Sequence, residues 1–229
     1  MNILEINKLN IEYGSKKVLK NLDLNIAKGT VHGLIGSNGA GKTTLFNCIN
    51  SNIYNRCNIK YSVDTSIGYL PAEIWFYPYM KGIEYIELSL TSRKIKINYK
   101  YIEILNSMFD LPLEEYATNY STGMKKRLVI MSILLQKNNF FTLDEPFNGL
   151  DLSSSLILND IILKLKSKGY TTLISSHIIS SLLELCDFIS FLDEGCIKKT
   201  YEKKEFHIIE HDIKNFSVID KTLLFDTII

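Results

Sequence analysis

No stretch of this chain approaches the ~20 consecutive apolar residues that span a bilayer. The most apolar run, Leu128 to Leu135, stops at Gln136 and Lys137. The opening MNILEINKLN carries Glu5 ahead of any apolar core and shows no cleavage pattern, so it does not read as a signal peptide. An excess of one charge is also missing, because 26 Lys and Arg offset 25 Asp and Glu to leave +1. Gripping a nucleic-acid backbone calls for a clear basic excess, so no nucleic-acid partner is expected. Cys48, Cys57, Cys186 and Cys196 form no CxxC pair and have no His at zinc-finger spacing. They read as small core residues in a reducing compartment. Internal repeats and low-complexity linkers are absent. These absences predict a cytoplasmic chain whose role at any membrane depends on a partner.

What is present is globular: 46% hydrophobic and 22% charged among 229 residues, read as one domain over 1–229. In the first thirty residues Leu4, Ile6 and Leu9 lie in an extended run, and Leu22, Leu24 and Ile26 alternate with Asn and Asp. That period predicts an antiparallel β lobe with one wet face. Val31 to Ile35 is nearly continuous apolar sequence, the pattern of a strand covered on both sides. Further strands are expected at Ile67 to Leu70, Phe140 to Leu143, Thr171 to Ser175, Phe188 to Leu192 and Cys196 to Thr200. Helices are expected at Thr43 to Ile49, Leu156 to Lys168 (closed by Gly169) and Ile178 to Leu185, with a helical lobe over about 74–135. Alternation of this kind predicts an α/β fold with a mainly parallel core sheet and helices on both faces. The tail from 201 to 229 is left without an assignment.

The segment Gly36-Ser37-Asn38-Gly39-Ala40-Gly41-Lys42-Thr43-Thr44 fits G-x-x-x-x-G-K-[ST], between a buried strand and a helix. The glycines let successive N–H groups turn toward a phosphate, and the helix adds its positive end. Lys42 supplies a point charge for the terminal phosphates, and the Thr43 hydroxyl is placed for Mg²⁺. A chance glycine-rich turn is the competing reading, and the flanking strand and helix disfavour it. The loop indicates a nucleoside triphosphate without choosing among kinases, GTPases, helicases and transport ATPases. Asp144-Glu145 ends a second apolar strand. There Asp144 can hold Mg²⁺ through water and Glu145 can take a proton from an attacking water. Taken alone, the pair fits a solvated turn equally well.

The segment YSTGMKKRL, Tyr120 to Leu128, resembles the signature loop of ABC transporter ATP-binding subunits. Ser121 and Gly123 match that pattern, while Tyr120, Thr122 and Met124 replace Leu, Gly and Gln. The variant resembles exporters of the ABC-2 type; read without the family, Ser121 would simply cap a polar helix. The resemblance runs from Ile3 to about Thr200 and makes the fold a P-loop NTPase with an inserted helical lobe. It implies an ATPase using ATP and Mg²⁺, with Glu145, His177 and Lys42 as catalytic groups. Ser121, Thr122 and Gly123 would act on the nucleotide of a second subunit, in a homodimer or heterodimer. Asp151, in Asn148-Gly149-Leu150-Asp151, matches the D-loop, His177 the switch histidine, and Tyr13 the adenine-stacking aromatic. An ordinary strand tyrosine is the alternative for Tyr13.

The sequence departs from the family where a Gln usually follows the strand ending IGYLP. Ala72 stands there, and Glu73 beside it is the substitute candidate for Mg²⁺. Next come Trp75, Phe76, Tyr77, Pro78, Tyr79 and Met80, which either receive a membrane partner or pack the helical lobe. Transmembrane permease subunits, a position on the cytoplasmic face of the membrane and export follow from the resemblance. A soluble ABC-type ATPase acting in assembly or regulation is the alternative.

Overall fold

The computed structural model describes residues 1–51 and 58–216. Cys57 and the tail from 217 to 229, both considered above, lie outside the described residues. β1 (Asn2–Tyr13) and β2 (Lys16–Ala27) form an antiparallel hairpin, and β4 (Ile59–Tyr61) pairs antiparallel with the other side of β1. Leu22, Leu24 and Ile26 are buried and Asp23 and Asn25 exposed, so the period-two pattern reports one packed face. The short β4 was not anticipated.

The larger sheet runs β5 (Ile67–Leu70), β6 (Phe140–Leu143), β7 (Thr171–Ser176), β3 (Val31–Ile35), β8 (Phe188–Asp193), β9 (Cys196–Glu202). Neighbours are parallel except β8 and β9, which are antiparallel. β3, β6 and β7 are buried at every residue, as strands covered on both faces must be. On one face, Leu34, Phe140 and Leu173 pack with Leu45 and Phe46 of α1 (Lys42–Asn50) and with the three-stranded lobe. On the other, Val31, Phe141 and Ile174 pack with helices α4 (Thr122–Leu135) and α5 (Leu152–Ser167). α4 belongs to the helical lobe, which also holds α2 (Gly82–Ser92) and α3 (Tyr99–Phe109).

The largest departures from expectation fall in three segments, the other boundaries shifting by a single residue. α5 starts four residues early, because Asp151 accepts from Ser154 N–H at 2.7 Å and caps it. Ser153, Ser154 and Ser155 break the apolar pattern there, and serine is a weak helix former. The helix expected over Ile178 to Leu185 shrinks to α6 (Ser180–Leu183). There the Ser181 hydroxyl donates to the Ile178 carbonyl, and the Ser176 hydroxyl accepts from Ile178 N–H. Such side-chain bonds compete with the helix ladder. Beyond Tyr201, β9 runs to Glu202, followed by a 3₁₀ segment (Lys203–Ile208) and α7 (Ile209–Phe216). Asp212 of α7 anchors it, accepting from Lys199 at 2.8 Å and from the Tyr201 hydroxyl at 3.1 Å.

Candidate active site

β6, β7 and β3 are adjacent and parallel, so their carboxyl ends share one edge, the edge where open α/β sheets bind ligands. The glycine-rich loop leaves β3, Asp144-Glu145 leaves β6 and His177 leaves β7. Gly41 caps α1 at φ 111°, and a Cβ there would come within 2.8 Å of the Leu19 side chain. Only glycine fits both demands. Ser37, Asn38, Gly39, Gly41, Lys42, Thr43, Thr44, Glu145 and Val18 line a cavity of about 310 Å³. Gly36 and Ala40 shape the turn from behind, with Ala40 N–H donating to the Ser37 carbonyl at 3.2 Å.

Lys42 is almost fully buried, and its ammonium donates to the carbonyls of Gly36 (2.7 Å) and Ser37 (3.2 Å). It also lies 3.4 Å from Glu145 Oε1, while Glu145 Oε2 is 2.9 Å from His177 Nδ1. Lysine, glutamate and histidine from three strand ends thus form one chain of contacts at the cavity rim. Glu145 adopts a left-handed backbone, φ 48°. Its N–H donates to the Ser175 hydroxyl at 2.7 Å, and that hydroxyl donates to Asp144 Oδ1.

Asp144 has no exposed surface, and its Oδ2 has no hydrogen-bond partner. Burial pushes its carboxyl above the ordinary range, opposed by the Ser175 and Thr43 hydroxyls. The Glu145 charge pushes the same way as burial and Lys42 pulls back. An orphaned buried carboxylate oxygen beside a threonine hydroxyl fits a divalent cation. Among the described residues no three His, Cys, Asp or Glu side chains cluster. A cation here would therefore be completed by phosphate oxygens and water, as is usual for Mg²⁺.

Other sequence candidates fall elsewhere. Ser121 caps α4, accepting from Met124 N–H at 3.2 Å, and neither it, Thr122 nor Gly123 lines the phosphate cavity. Asp151 is exposed, and its bonds to Ser154 hold its carboxyl below the usual range. Tyr13 is 47% exposed at the end of β1 and does not line the cavity. Glu73 lines a separate cavity with Ala72, Trp75, Thr122 and Lys126, apart from Thr43 and Asp144. Trp75, Tyr77 and Tyr79 are exposed, whereas Phe76 packs edge-on against Tyr85 with ring centres 4.9 Å apart. Sequence reasoning missed Val18, Ser175 and Lys126. Lys126 is buried, and its ammonium donates to the carbonyls of Glu145 and Asn148. Burial pulls that ammonium down to about 8, against the charges of Glu145 and Asp144.

A phosphate cradle, a buried aspartate and a glutamate–histidine pair at three adjacent strand ends define a nucleoside triphosphatase. Residues 19–148 match the model of the ABC transporter family. The chain is 32% identical over 219 residues to the lantibiotic transport ATP-binding protein SrtF of Streptococcus pyogenes, covering 89% of this chain and 93% of that one. It is 28% identical over 235 residues to the bacitracin transport ATP-binding protein BcrA of Enterococcus faecalis, covering 95% and 75%. Its fold resembles that of the ATP-binding cassette MJ0796, solved as a post-hydrolysis dimer bound to ADP and Pi (TM-score 0.77, 19% identical, 87% and 98% covered). The chain belongs to the ABC transporter family, as an ATP-binding, ATP-hydrolysing subunit. No helix among the described residues is long and apolar enough to cross a membrane.

Proposed function

We propose that two copies of this chain, or this chain and a close relative, close around two Mg-ATP and drive transmembrane permease subunits from the cytoplasmic face of the membrane. One observation carries the reading. The groups for cleavage converge on the phosphate cavity, while Ser121 and Gly123 do not line it. A helix N-terminus capped by Ser121 suits the γ-phosphate of a nucleotide held by a second chain. The dimeric state of the MJ0796 cassette supports that arrangement.

The cleavage step follows from the same side chains. The phosphates replace the Gly36 and Ser37 carbonyls as partners of Lys42. Glu145, aimed by His177, accepts a proton from a water attacking the γ-phosphorus in line. The new P–O bond forms as the bond to the β-phosphate oxygen breaks, and that electron pair leaves on ADP. Mg²⁺ at Thr43 and, through water, Asp144 would offset charge on the phosphate oxygens. Lys42 and His177 stabilise the rest of that charge. The names of the two relatives favour a peptide-antibiotic cargo, and the signature variant favours export.

Glu145→Gln tests the reading. It is expected to keep ATP binding, lower turnover about a thousandfold or more, and accumulate an ATP-dependent dimer on size exclusion. A variant that stays monomeric with wild-type turnover would overturn it.

A further inference from the structure

We infer that Lys126 is a positioning residue that ties the signature turn to the loop carrying Glu145, so that the two pieces one chain gives to two nucleotide sites move together. The inference rests on the proposed dimer. Lys126 sits in the second turn of α4, five residues after Ser121, and only 2% of it is exposed. Its ammonium donates to the Glu145 carbonyl and, at 2.6 Å, to the Asn148 carbonyl. Those two carbonyls bracket the turn between Glu145 and Gly149.

Glu145 explains why that turn needs holding. A non-glycine residue at φ 48° is strained and persists where its surroundings hold it there. Ser175 takes the Glu145 N–H from the β7 side, and Lys126 takes its carbonyl from the α4 side. With one clamp gone, the backbone is free to relax toward an ordinary conformation and swing the carboxylate from His177. A buried ammonium is costly, and here two carbonyls and the neighbouring Glu145 and Asp144 charges offset that cost.

Backbone contact joins the same two pieces. A Cβ on Gly123 would lie 3.3 Å from the Gly149 carbonyl oxygen, and one on Gly149 would lie 3.1 Å from Thr122 Cγ2. The signature turn therefore rests directly on the turn that leads to Asp151. Arg127, the next residue of α4, donates to the Phe109 carbonyl at 2.6 Å and fastens the same helix to α3. Displacing the signature turn as it meets a partner's nucleotide would thus shift Glu145 in its own site.

The test compares Lys126→Met and Lys126→Arg in the full chain, with Glu145→Gln as reference. Lys126→Met is expected to lower kcat about tenfold or more and to reduce any ATP cooperativity, with KM and the Kd for ATP within about twofold of wild type. Lys126→Arg, which can still donate to both carbonyls, is expected to recover most of kcat. Wild-type kcat in Lys126→Met, or a loss explained by weaker ATP binding, would overturn the inference. If Lys126→Met does not fold, Lys126→Gln decides, with a kcat-only loss supporting the role and unchanged kcat refuting it. Turnover retained in Glu145→Gln would instead fault the catalytic reading beneath it.

Discussion

At the scale of single residues, the site works because neighbouring groups in three dimensions fix what each side chain can do. Asp144 and Glu145 are adjacent in sequence and opposite in circumstance. Asp144 is sealed in with one unpartnered oxygen, and Glu145 reaches the cavity between a lysine and a histidine. His32, in the strand feeding the phosphate loop, shows the same logic outside the site. It is buried against Phe188 with Nε2 2.8 Å from the Ser190 hydroxyl, and burial pulls its imidazole down to about 4. An unfolded chain protonates this histidine near its ordinary 6.5, so between pH 6.5 and 4 only the unfolded state takes the proton. Stability is therefore full above about 6.5 and falls as pH drops through that window, by about 3 kcal/mol in total. In His32→Gln the urea midpoint should lose that part of its pH dependence, while the carboxylate part stays. Parallel midpoint curves for the two proteins would show that His32 does not contribute.

At the scale of elements, what was legible in the sequence is what local physics dictates. The phosphate loop is legible because a cradle of N–H groups demands glycine at fixed offsets, and α1 must follow it. β3 and β6 are legible because burial on both faces leaves nearly continuous apolar runs, and β7 because it is rich in β-branched residues. Ser175 and Lys126 escaped because their roles depend on residues 30 and 19 positions away. Nothing in the sequence around either one signals such a contact. Asp151 shows a double use: the residue matched to a D-loop also caps α5. The loop between β5 and α2 divides its aromatics. Phe76 packs inward on Tyr85, while Trp75, Tyr77 and Tyr79 stay outside, with Trp75 86% exposed. An exposed tryptophan flanked by tyrosines has the composition of an interface core. Trp75→Ala should lose co-purification with a membrane subunit while ATP affinity and melting temperature hold. Retained co-purification would assign the patch another role.

At the scale of the whole molecule, the proposed dimer divides one reaction between two parts of the chain. On that proposal the phosphate cavity binds and cleaves, and the signature turn of the helical lobe, which does not line that cavity, serves a second chain. If two chains complete each other, damage to the halves should be complementary. A chain with Ser121→Ala and Gly123→Ala keeps its phosphate loop and loses its signature turn. A chain with Lys42→Ala does the reverse. Each alone should be nearly inactive, since every site then lacks one half. Mixed, the two restore one complete site in each heterodimer. Random pairing makes half the dimers mixed, so the mixture should recover about a quarter of wild-type turnover per chain. Recovery should rise with protein concentration, because it depends on encounter between different chains. A mixture no more active than its parts would mean that cleavage is completed within a single chain, and the signature turn would then need another role.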